Sequence, residues 1–259
     1  MKKLIVANWK MNPLTVDAAR QLILSVEHRM HTVSNTTEVV VCPPSIYLAP
    51  FSHHVNLTSL GVQNISWEDK GAFTGEISAA QVKQWDIDYV ILGHSERRLY
   101  AGENDADVNK KIVAALNHKM HPVVCLGGEP GAKKIGMKRL VSKQFGAAVK
   151  GLDKLDIFKI IFAYEPIWAI STMKNSEPAS GEHALELVEH IRELLAKKIG
   201  KDQAKNAKVL YGGTVNKENV HEFARYPEIS GALVGGASLQ SENFWEIVKE
   251  FSRESIHKK

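Results

Sequence analysis

The stretch "KIIFAYE", residues 159–165, is, after its first lysine, an unbroken apolar run that ends on a carboxylate. A run that does not alternate with polar residues is what a strand buried on both faces of a parallel sheet requires. Seven similar runs recur along the chain: "LIVAN" from 4, "VVVC" from 39, "LTSLGVQ" from 57, "YVILG" from 89, "PVVCLG" from 122, "KVLYGG" from 208 and "ALVGG" from 232. Between them, "TVDAARQLILSVEHRM", "NDADVNKKIVAALNHK", "MKRLVSKQFGAAVKGL" and "HALELVEHIRELLAKKIG" repeat apolar residues every three or four positions, the period of an amphipathic helix. A shorter helix is expected near "SAAQVKQWD", between the third and fourth runs. Eight strands alternating with helices, without a long linker, predict an α/β chain folded as a closed (β/α)8 barrel, one domain over residues 1–259. A doubly wound open sheet of this length would carry a glycine-rich turn after its first strand, and "NWKMNPL" (8–14) has no glycine.

Composition narrows the partners. The chain has 259 residues, 44% of them hydrophobic, enough to bury one large core. Its 33 Lys and Arg against 29 Asp and Glu leave a formal charge of +4, spread without a basic block. That suits attraction of a small anion better than a nucleic-acid surface, so no nucleic-acid partner is expected. Cys42 and Cys125 each lie in or at the end of an apolar run and read as buried, reduced thiols, with no spacing that suggests a metal or a disulfide. "MKKLIVANWK" holds too few apolar residues before Asn8 for a secretory leader, and no stretch reaches the length of a membrane span. The expectation is a cytoplasmic protein without a membrane anchor.

In such a barrel, chemistry sits on the loops that follow the C-terminal ends of the strands. The polar residues there are Asn8 and Lys10, Gln63 and Asn64, His94 and Glu96, and Glu165. Gly212, Gly213 and Thr214 follow the seventh run, and Gly235 and Gly236 the eighth. A single Gly-Gly pair is ordinarily a tight turn. Two pairs after adjacent final strands let the backbone approach a ligand and aim N–H groups at it, which matches the recurrent phosphate site of these barrels. Glu165 alone could be a helix cap or a surface ion partner. Between "FAY" and "PIW", however, it should be partly desolvated, which makes a carboxylate a stronger base. His94, at the expected start of a short helix, is placed to remain a neutral imidazole that donates to a carbonyl oxygen. Lys10 can set a positive charge beside the same oxygen, with Glu96 as the ion partner that holds it. These groups describe abstraction of a proton next to a carbonyl, the developing enediolate being stabilised by Lys10 and His94.

Six segments, "NWKMN", "QNISWEDKGAFTGE", "GHSERR", "AYEPIWAI", "YGGTV" and "LVGGASL", resemble the triosephosphate isomerase family in order and across nearly the whole chain. The resemblance implies a TIM barrel that interconverts dihydroxyacetone phosphate and D-glyceraldehyde 3-phosphate, without metal or organic cofactor. It assigns Glu165 to the proton shuttle and His94 to the substrate oxygens. Asn8 and Lys10 would bind and polarise the substrate, with Glu96 beside Lys10, while Ser171, Thr214, Gly235 and Gly236 would hold the phosphate. The family is usually a homodimer in which the "GAFTGE" loop enters the partner near its active site, and Thr74 is the matching tip residue.

The resemblance also makes residues 166 to 176 a lid that closes over the phosphate and excludes water, hinged at Pro166 and Trp168. The lid carries the main departures. Where the family usually reads "AIGTGKTA", this chain reads "AISTMKNS", with Ser171 and Met173 in place of glycines and Asn175 and Ser176 at the second hinge. A side chain where a left-handed backbone is needed costs about 1–2 kcal/mol, so altered lid kinetics with retained chemistry are expected. The usual "CIGE" after the fifth strand reads "CLGGE", so a glutamate is lost at Gly128 or displaced to Glu129, and a few extra residues near "EPASGE" lengthen the approach to the next helix. The alternative is a paralogue acting on a longer sugar phosphate such as a tetrulose phosphate. A noncatalytic barrel would have no need of Lys10, His94 and Glu165 together.

Overall fold

The computed structural model describes residues 2–33, 36–129, 131–169 and 179–254. Eight parallel strands close into a barrel in chain order: β1 (Lys3–Asn8), β2 (Thr37–Cys42), β3 (Ser59–Val62), β4 (Tyr89–Leu92), β5 (His121–Leu126), β6 (Ile161–Tyr164), β7 (Val209–Tyr211) and β8 (Gly231–Val234). Closure is made by β8 on β1, in a register running from Leu4↔Gly231 to Ala7↔Val234. There Gly231 has φ 147°, and a Cβ on it would overlap the carbonyl of Leu4. Only glycine satisfies both demands, so Gly231→Ala would force the seam apart.

The connecting helices are α1 (Val16–Met30), α2 (Leu48–Phe51), α3 (Ala79–Lys83), α4 (Ser95–Tyr100), α5 (Asp105–Asn117), α6 (Met137–Ala148), α7 (Lys154–Lys159), α8 (Gly181–Ile199), α9 (Lys201–Asn206), α10 (Val220–Ala224) and α11 (Ser241–Glu254). Their starts are written locally. Thr15, Ser78, Asn104 and Ser180 each accept a backbone N–H from the first turn that follows, and Ser78–Gln81 and Asn104–Asp107 are reciprocal capping boxes. The sequence reading did not foresee α7. Asp153 caps it by accepting the N–H of Asp156 at 2.8 Å, so Lys159 ends a helix and the strand begins only at Ile161.

Strand periodicity divides the core in two. Leu4, Val6, Val123, Cys125, Ile161 and Ala163 belong to a cluster drawn from strands alone, which fills the barrel. Ile5, Ala7, Val124, Leu126, Phe162 and Tyr164 pack outward with the helices. Burying side chains of this size contributes about 1.5–3 kcal/mol each. The same alternation sets the site, because Asn8 follows Val6 by two residues and Glu165 follows Ala163 by two. Both therefore fall on the interior side just above the last apolar layer. Cys42 and Cys125 are buried free thiols, and burial pushes both well above the usual thiol range. Among the described residues no helix is long and apolar enough to cross a membrane.

Candidate active site

The first arm of the site leaves β1. Lys10 adopts a left-handed backbone with φ 54°, a conformation that costs a residue with a side chain about 1–2 kcal/mol. Local bonds offset it. The Lys10 N–H donates to Asn8 Oδ1 at 3.0 Å, and its carbonyl accepts from Gln63 Nε2 at 2.8 Å, which also donates to the Cys42 carbonyl at 2.9 Å. The lysine side chain runs to Glu96, with Nζ to Oε1 at 2.5 Å. The sequence reading paired these two residues; the function of Gln63 as the brace of the Lys10 backbone it did not see.

The second arm is the turn from β4 into α4. His94 caps that helix, its Nδ1 accepting the N–H of Glu96 at 3.2 Å. An accepting Nδ1 leaves the ring proton on Nε2, an assignment that rests on this hydrogen-bond geometry. That Nε2 lies 3.2 Å from Glu165 Oε1. The other carboxylate oxygen accepts the Ser95 N–H at 3.0 Å, and Glu165 is 1% exposed. Gly128 keeps this space open, since a Cβ there would come within 2.7 Å of the Ser95 Cβ and 3.1 Å of Glu165 Oε2. Glu129 does not replace the missing carboxylate in the site. It is half-exposed, 3.8 Å from Lys143, and lines neither hollow of the site.

Beneath α4 lies a buried ionic cluster that the sequence reading missed. Glu103 is paired with Lys111 and with Arg97, the latter at 3.3 Å, and accepts the Gly93 N–H at 3.1 Å. Lys111 also donates to Asn64 at 2.8 Å, and Arg98 joins the Gly93 carbonyl at 2.9 Å to Asp105 at 2.7 Å. This network anchors the turn that presents His94. A signal for it existed in the sequence: Lys111 falls on the same helical stripe as the buried Val108, Ile112 and Ala115, and a lysine on an apolar stripe calls for a buried partner.

The third arm is the rim after β7 and β8. Thr214, Gly235 and Gly236 line a cavity of about 350 Å³ together with Asn8, Lys10, His94 and Glu165. Thr214 is held through its carbonyl, which accepts from Asn219 Nδ2 at 3.0 Å, and a Cβ on Gly235 would lie 3.3 Å from the Lys10 side chain. Asn216, Gln240 and Asn243 also line the cavity and were not anticipated. Ser171, like Met173, Asn175 and Ser176, lies outside the described residues. A second hollow of about 280 Å³ shares Asn8, Lys10 and His94 with the first and continues past Gln63, Asn64 and Glu96 to Gly75, Glu76 and Ile77. Thr74 stands exposed at the edge of that second hollow, on the loop that supplies its wall.

A closed (β/α)8 barrel whose acid–base side chains and paired lysine converge on one cavity at the C-terminal strand ends has the construction of a barrel enzyme working by proton transfer. Comparison with known proteins makes this particular. The family model described as "Triosephosphate isomerase" matches residues 3–251. The chain is 41% identical over 251 residues to the triosephosphate isomerase of Caldanaerobacter subterraneus subsp. tengcongensis, covering 95% of this chain and 98% of the relative. It is 39% identical to that of Dictyoglomus thermophilum, covering 96% and 99%, and 41% identical to that of Dehalococcoides mccartyi, covering 96% and 97%. The chain belongs to the triosephosphate isomerase family.

Proposed function

We propose that the chain interconverts dihydroxyacetone phosphate and D-glyceraldehyde 3-phosphate through an enediolate, as an intramolecular aldose–ketose isomerase of glycolysis and gluconeogenesis. The observation that carries this is the Glu165–His94 contact of 3.2 Å on the cavity that Lys10 also lines, with Glu96 paired to Lys10 from behind. Glu165 takes the proton from the carbon next to the carbonyl and returns it to the neighbouring carbon. His94 Nε2–H, 3.2 Å from Glu165 Oε1, donates to the substrate oxygens. Lys10 and Asn8 hold those oxygens, with Glu96 fixing Lys10, so that positive charge stands where the enediolate develops. A glutamate base with a neutral imidazole is the established scheme of this family rather than a deduction from this chain alone. Thr214, Gly235 and Gly236 are the groups we assign to the phosphate, with Ser171 joining them by resemblance. The reaction moves protons without net electron transfer, so we propose that it needs no cofactor or metal.

The same reading makes the molecule a cytoplasmic homodimer of one-domain subunits. Met11 is 87% exposed and Leu14 90% exposed, and with Ile46 and Phe73 they are exposed apolar side chains within a few residues of Lys10, Ser45 and Gly75 of the second hollow, a surface that a partner would cover. Thr74, at the tip of the loop beside it, is the residue proposed to enter the partner. Full-length similarity to triosephosphate isomerases does not favour the longer-sugar alternative. A coupled steady-state assay with glyceraldehyde 3-phosphate and a tetrulose phosphate side by side tests substrate choice. Preferential turnover of the triose is expected, and preference for the tetrulose would refute the assignment. Sedimentation of the purified chain tests the dimer, with a monomer at micromolar concentration as the contrary outcome.

A further inference from the structure

His183 stands outside the groups assigned above. It occupies the first turn of α8, its N–H donating to the cap Ser180 at 3.3 Å, and it is 8% exposed. Its Nε2 lies 3.0 Å from the Tyr164 hydroxyl. Its ring packs at 5.5 Å, centroid to centroid, on the ring of Trp168. Tyr164 directly precedes Glu165, and Trp168 sits in the single 3-10 turn, Ile167–Ala169, that follows it. One imidazole therefore touches the chain on both sides of the carboxylate.

The direction of its hydrogen bond follows from the neighbours. Glu186 Oε2, 3.7 Å from Nδ1, draws the proton of the neutral ring to Nδ1, so Nε2 accepts from the Tyr164 hydroxyl, which burial, with Tyr211 and Glu186 adding to it, keeps protonated. Burial and the charge of Lys134 hold the imidazole below its ordinary range, while Glu186 pulls the other way. Glu186 is itself engaged by Lys138 of α6 at 3.0 Å. The described groups that face the ring are thus Tyr164, Lys134 and Glu186, with Lys138 behind Glu186. A proton added at Nε2 turns the acceptor into a donor, and the Tyr164 hydroxyl must rotate or withdraw. Tyr164 has little slack to absorb this, because its carbonyl accepts the Gly212 N–H at 2.8 Å and the Glu165 N–H donates to Leu126 at 2.7 Å.

We propose that His183 is a positioning residue for Glu165: as the neutral ring it holds Tyr164 and Trp168 on either side of the base, and its protonation releases that hold and lowers turnover. The proposal rests on the reading of Glu165 as the base. It is tested on the full chain by kcat and KM measured from about pH 5 to 9 for the wild type, His183→Gln and His183→Leu. Glutamine can accept from the Tyr164 hydroxyl but does not titrate. His183→Gln is expected to keep kcat within about threefold at pH 8 while the acid-side fall of kcat moves to lower pH. His183→Leu, with folding checked by thermal melting, is expected to lower kcat about tenfold across the range with KM little changed. Labelled imidazole nitrogens should report a proton on Nδ1 at pH 8 and a titration that coincides with the displaced limb. Superimposable profiles for the wild type and His183→Gln, or an unaltered kcat in His183→Leu, overturn the proposal. Should the wild type turn over no triose phosphate, the isomerase reading fails separately. The ring signals of Tyr164 and Trp168 then decide the coupling, since signals unmoved through the His183 titration would overturn it.

Discussion

Two glutamates are buried at the same end of the barrel, and their surroundings differ in kind. Glu103 meets two cations, Lys111 and Arg97, and the Gly93 N–H. Glu165 is equally sequestered but meets the Ser95 N–H and an imidazole, with no lysine or arginine ion-paired to it among the described residues. Removing an ionised group from water costs several kcal/mol, and fixed opposite charge is what offsets it. Glu103 is compensated and serves as scaffold. Glu165 is compensated only in part, which supports its reading as the group that exchanges a proton.

This contrast predicts that the two ends of it fail in different ways. Lys111→Met, which leaves Glu103 with Arg97 alone, should destabilise the fold by about 3 kcal/mol, at the low end for splitting a buried ion pair. Chemical denaturation would measure it, and kcat per folded molecule should change little; a selective loss of activity would break the distinction. Glu165→Asp should do the reverse. Withdrawing the carboxylate by one carbon is expected to lower kcat about 10²-fold, equivalent to about 2.7 kcal/mol in the barrier, with the denaturation midpoint nearly unmoved. Unchanged turnover would remove Glu165 from the role of base.

Glu96→Gln is a subtler probe, because the backbone N–H that orients His94 survives while the charge that holds Lys10 is lost. A fall in kcat/KM of about tenfold is expected, read as misplacement of Lys10 rather than loss of its charge. The smallest effect concerns pH. His183 is held below its ordinary range in the fold, so the unfolded chain binds its proton first as the solution is acidified. Its contribution to stability is complete above about pH 6.5 and is lost as pH falls toward the folded value. His183→Gln should therefore flatten the decline of melting temperature below about pH 6.5, and an unchanged slope would show that other groups set it.

The three arms of the site were unequally legible. The Gly-Gly pairs after β7 and β8 could be read directly, since a glycine at a strand end reports a backbone requirement within its own few residues. His94 and Glu165 could be found by their places at strand ends, and the Lys10–Glu96 pair by charge, although 86 residues separate its members. The Glu103–Lys111 cluster went unread because its demand is for burial, which no short window displays. The strand before Glu165 was drawn too long because "KII" suits a strand and a helix end alike, and the cap at Asp153 decided for the helix.

The order of strands and helices, the barrel, the family and the residue types at the mouth were determined by the sequence itself, because periodicity, caps and glycines act over a few residues. What only the tertiary structure decided was which groups are compensated. The brace of Gln63 on Lys10, the N–H of Ser95 on Glu165 and the contact of His183 with Tyr164 each join different elements of the folded chain. Hydrogen bonds and ion pairs fall off steeply with distance and angle, and those distances are set only when separate strands and helices are packed together.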